Sequence, residues 1–392
     1  MKKYKLGDIL ELQRGYDLPH SEMEEGNVPV AGSSGIIGYH SISKIDPPCI
    51  TIGRSGSVGK LFFYNEAIWP HNTSLYIKSF KNNNEKYIFY LLKTVDFERL
   101  CDSSVVPSLN RNFVYPIKVP FYDNIADQQK IAAVLSSLDD KIALNNRINA
   151  KLEQMAKRLY DYWFVQFDFP VSCHSELVSE SHSEEMLNQV QHDERIKPYK
   201  SSGGKMEYHE ELKREIPAGW EVKKLGEIAL VKRGTTITEK DTTKGNVKVV
   251  AGGLDFSYYH NQSNRKANCI TVSGSGENAG FVNFWREPIF ASDCSTVQCE
   301  NDIDTMLCYF ALKMQEKRFY RISHKSAQPH IYPKDVAEIP IVVPNEAVKS
   351  KISDFFLKSN WKIALIEKET QKLTALRDRL LPLLMNGQVE VN

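Results

Sequence analysis

The chain has 392 residues, 42% hydrophobic and 25% charged, a balance that fits buried cores and excludes a disordered or low-complexity class. Lysine and arginine total 50 against 49 acidic residues, so the formal net charge is only +1 and any nucleic-acid contact must come from a local basic surface. No apolar run approaches the ~20 residues needed to cross a bilayer, and the opening MKKYKLGDILELQRG is charged where a signal peptide would be apolar, so a cytoplasmic protein with no membrane partner is expected.

At about 150 residues per domain the length calls for two or three domains. Seven cysteines, Cys49, Cys101, Cys173, Cys269, Cys294, Cys299 and Cys308, are scattered, with no Cys-x-x-Cys pair and no histidine at zinc spacing. They read as free thiols, and no metal centre is expected.

In chain order, the first stretch is a series of short strand-like runs broken by Gly, Asn, Ser and Pro, starting with KLGDILELQRG (Lys5–Gly15) and PVAGSSGIIGYH (Pro29–His40). DPPC (Asp46–Cys49) resembles the Asp-Pro-Pro-Tyr/Phe motif with which amino-methyltransferases hold a flipped adenine. Cys49 stands where the stacking aromatic should be, and no strand–GxGxxG–helix unit precedes it. GRSGSVGK (Gly53–Lys60) looks like a phosphate-cradling loop. A P-loop, however, has four residues between its first glycine and the Gly-Lys pair, then Ser or Thr. Here five intervene, Leu61 follows Lys60, and LFFYNEAIW (Leu61–Trp69) is strand-like rather than helical, so a turn between two strands is expected.

A helical patch follows at EKYIFYLLKTVDFERL, and then a long helix. Its seam residues Ile131, Leu135, Leu138, Ile142, Asn145, Ile148, Leu152, Met155, Leu159 and Tyr162 recur at steps of three and four. Residues 169–218 read as a linker, whose middle piece VSCHSELVSESHSEEMLNQVQHDE is Ser/Glu/His-rich and lacks a sustained apolar face. Its histidines, His174, His182 and His192, fit no standard metal spacing.

The remainder repeats the beginning. KLGEIALVKRG (Lys224–Gly234) matches KLGDILELQRG, VVAGGLDFSYYH (Val249–His260) matches PVAGSSGIIGYH, and CITVSGSGENAG (Cys269–Gly280) matches CITIGRSGSVG. LCYFALK (Leu307–Lys313) matches YIFYLLK (Tyr87–Lys93), and KIAL occurs at Lys141 and again at Lys362. Five matches in one order at one offset of about 220 residues are a duplication. The second copy also ends in a long helix, with Ile352, Phe355, Ser359, Ile363, Ile366, Thr370, Leu373, Leu376, Leu380 and Leu383 in its seam. Two such helices are expected to pair as a coiled-coil spacer, each a rod of roughly 60 Å at about 1.5 Å per residue.

The fold class expected is therefore α+β: two repeated mixed α/β recognition domains, 1–125 and 219–345, separated by long helices at 126–168 and 346–388.

No Gly-x-Ser-x-Gly elbow, HExxH or Walker A occurs. What remains is recognition chemistry. Loops that hold Arg, Lys, Asn, Gln, Ser, His and Tyr beside glycines can bring side-chain forks to base edges and backbone amides to phosphates. In the first copy the candidate DNA-binding residues are Arg14, Arg54, Ser57, Lys60, Asn72, Asn110 and Arg111. In the second they are Lys232, Arg233, Tyr258, His260, Ser275, Asn278, Arg318, Arg321, Lys325, Gln328 and His330. RFYRISHKSAQPHIYPK (Arg318–Lys334) is the richest of these loops in basic and aromatic residues. The loops fall at matching positions with different residues, which is one scaffold offering two readings.

PAGWEVKKLGEI at the start of the second copy, DQQKIAAVLSSLDDKIALNNRINAKLEQMAKRLYDYWFVQFDFP (Asp127–Pro170) and LTALRDRLLPLLMNGQV (Leu373–Val389) together carry a family resemblance. The chain resembles the DNA specificity subunit of a type I restriction-modification system over nearly its whole length, except roughly Val171 to Glu194, which looks like a mobile repeat inserted in a tolerant loop. The resemblance implies a non-catalytic chain whose two target recognition domains read the halves of a bipartite, asymmetric site in double-stranded DNA. It implies that the two long helices run antiparallel, fix the gap between the half-sites and dock two methyltransferase subunits and, through them, restriction/translocase subunits. S-adenosylmethionine, ATP and magnesium would belong to those partners, with no cofactor in this chain. The aromatic tail LYDYWF suggests Tyr160, Tyr162, Trp163 and Phe164 as partner contacts. A solitary DNA methyltransferase or nuclease, and a two-headed protein-binding scaffold, are the competing classes.

Overall fold

In the computed structural model, which describes residues 1–100, 108–172, 196–323 and 330–391, the chain divides into two units. One comprises Met1–Asn146 and Lys368–Asn392, the other Arg147–Glu367. Among the described residues no helix is long and apolar enough to cross a membrane.

The first unit begins where the KLGD motif turns a strand into a helix. β1 (Lys2–Lys5) passes into the single turn α1 (Leu6–Ile9), whose Asp8 carboxylate accepts from the Lys5 N–H at 3.3 Å while Leu6 is driven fully into the core. Then come β2 (Glu11–Arg14), β3 (Val28–Gly32), β4 (Gly35–His40), β5 (Cys49–Gly53), β6 (Leu61–Tyr64), β7 (Trp69–Pro70) and β8 (Ser74–Ser79). They are followed by α2 (Glu85–Leu92), α3 (Arg111–Val114), β9 (Lys118–Phe121) and α4 (Ile125–Tyr160). The strands form a β2-β8-β5-β6 sheet, a β4-β3-β7 sheet and a β1-β9 pair. The apolar run of β5 has every residue buried, so it occupies the sheet interior, with Ile50 and Ile52 in one core with Leu12, Leu75, Tyr87, Leu91, Ile131 and Leu135. Full burial of a side chain such as Leu135 contributes about 1.5–3 kcal/mol.

The second unit opens on two hairpins, β10 (Pro170–Ser172) with β11 (Ile196–Pro198) and β12 (Met206–His209) with β13 (Arg214–Pro217). It continues through β14 (Glu221–Lys224), α5 (Leu225–Ile228), β15 (Leu230–Arg233), β16 (Val247–Val250), β17 (Tyr258–His260), β18 (Cys269–Ser273), β19 (Val282–Trp285), β20 (Phe290–Ala291) and β21 (Cys294–Gln298). α6 (Asp302–Met314), α7 (Glu316–Ser323), α8 (Pro333–Ala337), β22 (Pro340–Val343) and the part of α9 (Glu346–Met385) before Lys368 complete it; the rest of α9 belongs to the first unit. Its sheets, β15-β21-β18-β19, β17-β16-β20 and β14-β22, repeat those of the first unit strand for strand. Both copies even cap the same helix alike: the Asn84 side-chain Oδ1 accepts from the Tyr87 N–H at 2.9 Å and the Asn301 Oδ1 from the Asp304 N–H at 2.8 Å.

GRSGSVGK is the turn between β5 and β6. The Gly53 N–H donates to the Lys60 carbonyl at 2.8 Å and the Gly59 N–H to that of Gly53 at 2.9 Å; Ser273, Phe281 and Gly280 make the same two bonds in the second copy. Gly59 (φ +76°) and Gly280 (φ +91°) lie in the left-handed region. A Cβ there would also meet the Cβ of Phe97 at 2.9 Å or of Phe319 at 2.4 Å, so the glycines are turn geometry. DPPC ends in the core: Cys49 is buried, and its thiol donates to the Asp46 carbonyl at 3.1 Å.

Three corrections to the sequence reading follow. The region expected as linker is folded wherever it is described. Phe169 stacks on Tyr199 at 4.5 Å and on Trp220 at 5.2 Å, tying the hairpins to the core, while most of the Ser/Glu/His-rich piece lies outside the described residues.

The expected seam also drifts. Met155, Tyr162 and Leu376 were placed inward but are 53%, 41% and 45% exposed. A straight α-helix turns away from a strict heptad repeat, so Ala156 takes the buried place beside Met155. Beyond α4 the chain makes a π-helical turn, Asp161–Val165, which rephases the face so that Trp163 and Phe164 point in.

Third, the aromatic tail is core. Tyr160, Trp163 and Phe164 are buried, with Tyr160 stacked on Phe310 at 5.2 Å and Phe164 5.6 Å from Trp220. Of the four expected partner contacts only Tyr162 is exposed.

Within the first unit the long helices do run antiparallel. Asn145, buried in the seam, donates to Glu369 at 2.8 Å and to Thr370 at 3.2 Å, while the earlier Asp139 pairs with the later Arg377 at 2.8 Å. A buried asparagine in a seam fixes register, because sliding would strand its amide.

Candidate nucleic-acid interface

In the first unit the site is assembled by strand ends. Arg14 closes β2, and Gly15 lets the chain pass so near β7 that a Cβ there would lie 2.1 Å from the His71 carbonyl. Hydrogen bonds from Gly15 to Ser74 (3.0 Å) and from Tyr16 to Pro70 (2.8 Å) clamp this approach. Asp17 is thereby placed between Arg14, 3.8 Å away, and the Asn72 amide, which donates to it. The Arg54 N–H bonds the Thr73 carbonyl at 2.8 Å, and its guanidinium reaches the Asn72 carbonyl at 3.5 Å. The Leu109 N–H, bonded to the Arg54 carbonyl at 2.8 Å, brings in the chain carrying Asn110. One edge thus holds Arg14, Asp17, Arg54, Asn72 and Asn110. Burial holds the His71 imidazole below its usual pKa, and its Nδ1 lies 2.9 Å from the Thr73 hydroxyl, so this ring orders the turn.

Arg111 is spent partly on the scaffold, donating to the Leu12 carbonyl at 3.2 Å. Ser57 and the exposed Lys60 sit further along the β5–β6 turn.

The second unit builds the same edge from other residues. Arg233 ends β15, Gly234 repeats the close approach at 2.0 Å from the Ser292 carbonyl, and Arg233 meets Asp293 at 3.6 Å. The Ser275 hydroxyl donates to the same carboxylate. Ser275 forms a bridge with His330, whose ring stacks on Tyr332 at 5.9 Å. Arg233, Ser275 and His330 are therefore gathered as expected residues. Asp17 and Asp293, which orient the two arginines, were missed, because only the fold brings them within reach.

Four expected residues go elsewhere. Lys232 lines a groove with Arg265 and Lys266, since neighbours on a strand face opposite ways. His260 is buried and structural: its Nδ1 accepts from the Thr243 N–H at 3.1 Å and its ring stands edge-on to Phe290 at 5.2 Å. His40 makes the corresponding contacts, with the Glu24 N–H at 3.0 Å and Trp69 at 5.1 Å. The identical YH in both copies was the available signal, because a reading residue should differ between heads. Tyr258 commits its hydroxyl to the Ile237 carbonyl at 2.5 Å. Asn278 lines a separate groove with Lys317 and Tyr320 of α7, the helix that also carries the exposed Arg318 and Arg321. Lys325 and Gln328 lie outside the described residues.

The family model described as type I restriction modification DNA specificity domain matches residues 1–154 and again 217–375, so the chain belongs to that family and its function is DNA recognition as a specificity subunit. The chain is 25% identical over 331 residues to the type I restriction enzyme MjaIX specificity subunit of Methanocaldococcus jannaschii, covering 78% of this chain and 69% of that one. It is 24% identical over 327 residues to the HindI specificity subunit of Haemophilus influenzae, covering 68% of each. Among solved structures, the type I restriction-modification S subunit from M. genitalium matches with a TM-score of 0.62 at 17% identity, over 98% of this chain and 96% of that one, a likeness of fold.

Proposed function

We propose that each head reads one half of a bipartite, asymmetric DNA site, the first through Arg14, Arg54, Asn72 and Asn110 and the second through Arg233, Ser275 and His330. Arg318 and Arg321 on α7 add phosphate or base contacts in the second head. The observation that supports this is the repeated edge. The same strand ends and the same glycine approach carry Arg54 and Asn72 in one head but Gly274 and Asp293 in the other. Bidentate arginine and asparagine contacts to guanine and adenine edges are the chemistry such a surface offers.

The chain acts in the cytoplasm without catalysis or a cofactor of its own. Two methyltransferase subunits, carrying S-adenosylmethionine, and restriction/translocase subunits using ATP and magnesium supply the chemistry. Since Tyr160, Trp163 and Phe164 are core and only Tyr162 is left exposed, methyltransferase docking falls instead to α9, where Leu357, Trp361 and Leu365, 40%, 66% and 48% exposed, form an i, i+4, i+8 stripe.

Mapping methylated adenines in genomic DNA from cells with and without this chain tests the reading. Two short half-sites at fixed spacing, lost with the chain, are expected; a single contiguous motif, or a methylation pattern unchanged by the chain's removal, would overturn it.

A further inference from the structure

Among the five described cysteines, three are thiols that burial makes inert: Cys49 is pushed up to about 11, and Cys269 and Cys294, on adjacent strands, to about 12. The other two face each other. The sulfurs of Cys299, at the end of β21, and Cys308, on α6, stand 3.7 Å apart. Cys308 is buried and Cys299 half-buried, so only Cys299 is open to a reagent. It lines a groove of about 850 Å³ in which Lys232, Arg265 and Lys266 are matched by Glu227, Glu300 and Asp302, so the groove is polar and charge-balanced. The approach around Cys299 is tight. Its N–H donates to the Thr305 hydroxyl at 3.0 Å, and Lys349 close by is neutralised by Asp304 at 3.2 Å and Glu346 at 2.6 Å.

The hydrogen bond from the Cys308 thiol, helped by Thr305, holds Cys299 below the usual thiol range, while the same bond and burial push Cys308 well up. The first copy has Ile88 where α6 has Cys308, so the duplicated fold does not require the pair.

We propose that Cys299 and Cys308 are a redox modification site that takes a low-molecular-weight, polar disulfide of the glutathione type and closes into an intramolecular disulfide. The Cys299 thiolate attacks one sulfur of RSSR, forming Cys299–S–S–R and expelling RS⁻. Cys308 then gives its proton to solvent and attacks the Cys299 sulfur, releasing the second RS⁻. The protein dithiol is oxidised by two electrons, and the small disulfide is reduced to two thiols. The bond ties the end of β21 to α6, and the turn that leads into β21 holds Asp293.

The folded full chain is incubated with glutathione disulfide, quenched in acid, unfolded in denaturant, alkylated, digested and analysed by mass spectrometry. A Cys299–Cys308 cross-link, reversed by dithiothreitol, is expected, with Cys49, Cys269 and Cys294 left as alkylatable thiols. The Cys308→Ser variant should stop at a mixed disulfide on Cys299. Cys299→Ser, at a less buried position, should leave Cys308 unmodified. A stable mixed disulfide on Cys299 of the unmutated chain, a cross-link from Cys299 to another cysteine, or no reaction of the folded chain would overturn the proposal.

Discussion

The arginines at the two strand ends illustrate how little a residue's type says until its partners are known. Arg14 and Arg233 are each held by a carboxylate, at 3.8 and 3.6 Å, on side chains that remain largely open to solvent. Such pairs contribute at most about 1 kcal/mol to stability, so their value is to aim the guanidinium. Arg233→Ala should therefore leave the melting temperature nearly unchanged. In the assembled complex it should weaken binding tenfold to a hundredfold, the ~1–3 kcal/mol of a base contact, or relax one half-site only. Competition binding at fixed salt against DNA altered in each half-site measures this, and equal loss at both half-sites would assign Arg233 to the backbone. His260→Ala should do the opposite. It strips the Thr243 N–H of its acceptor and removes a ring from against Phe290, costing about 1–3 kcal/mol in urea unfolding without changing which bases are selected.

For the elements, the contrast lies between two tryptophans. Trp163, turned inward after the π turn, belongs to the same buried cluster as Phe164, Phe167 and Trp220, so Trp163→Ala should cost about 3–5 kcal/mol of stability. Trp361 on α9 is 66% exposed, and Trp361→Ala should change stability by no more than about 0.5 kcal/mol while reducing methyltransferase-subunit capture in a pull-down. Unchanged capture with Trp361→Ala would remove the α9 stripe as the docking face. The periodicity of the sequence located both helices, because a seam recurring at three and four is a local property. It misassigned the α4 tail because a π turn, one residue longer per turn, leaves no mark in that pattern.

At the scale of the whole molecule, the inserted piece between the copies enters and leaves through one hairpin. Ser172 pairs with Ile196, and Pro170 with Pro198. Replacing residues 173–195 by a short Asn-Gly turn should therefore preserve the fold and the methylation motif, checked by thermal melting and by methylation mapping. A lost motif with an intact melt would make the insertion functional rather than tolerated.

The duplication, the order of strands and helices in each copy, the glycine turns and the absence of familiar catalytic motifs are all legible in the order of the residues. These are carried by residue spacing and backbone requirements, such as Gly59 and Gly280 against Phe97 and Phe319. Which polar residues meet depends on the folded chain. Asp17 reaches Asn72 across the β7–β8 turn, Asp293 gathers Arg233 and Ser275, and His260 withdraws into the core. Such contacts join residues tens of positions apart through strand pairing, and no local pattern encodes them.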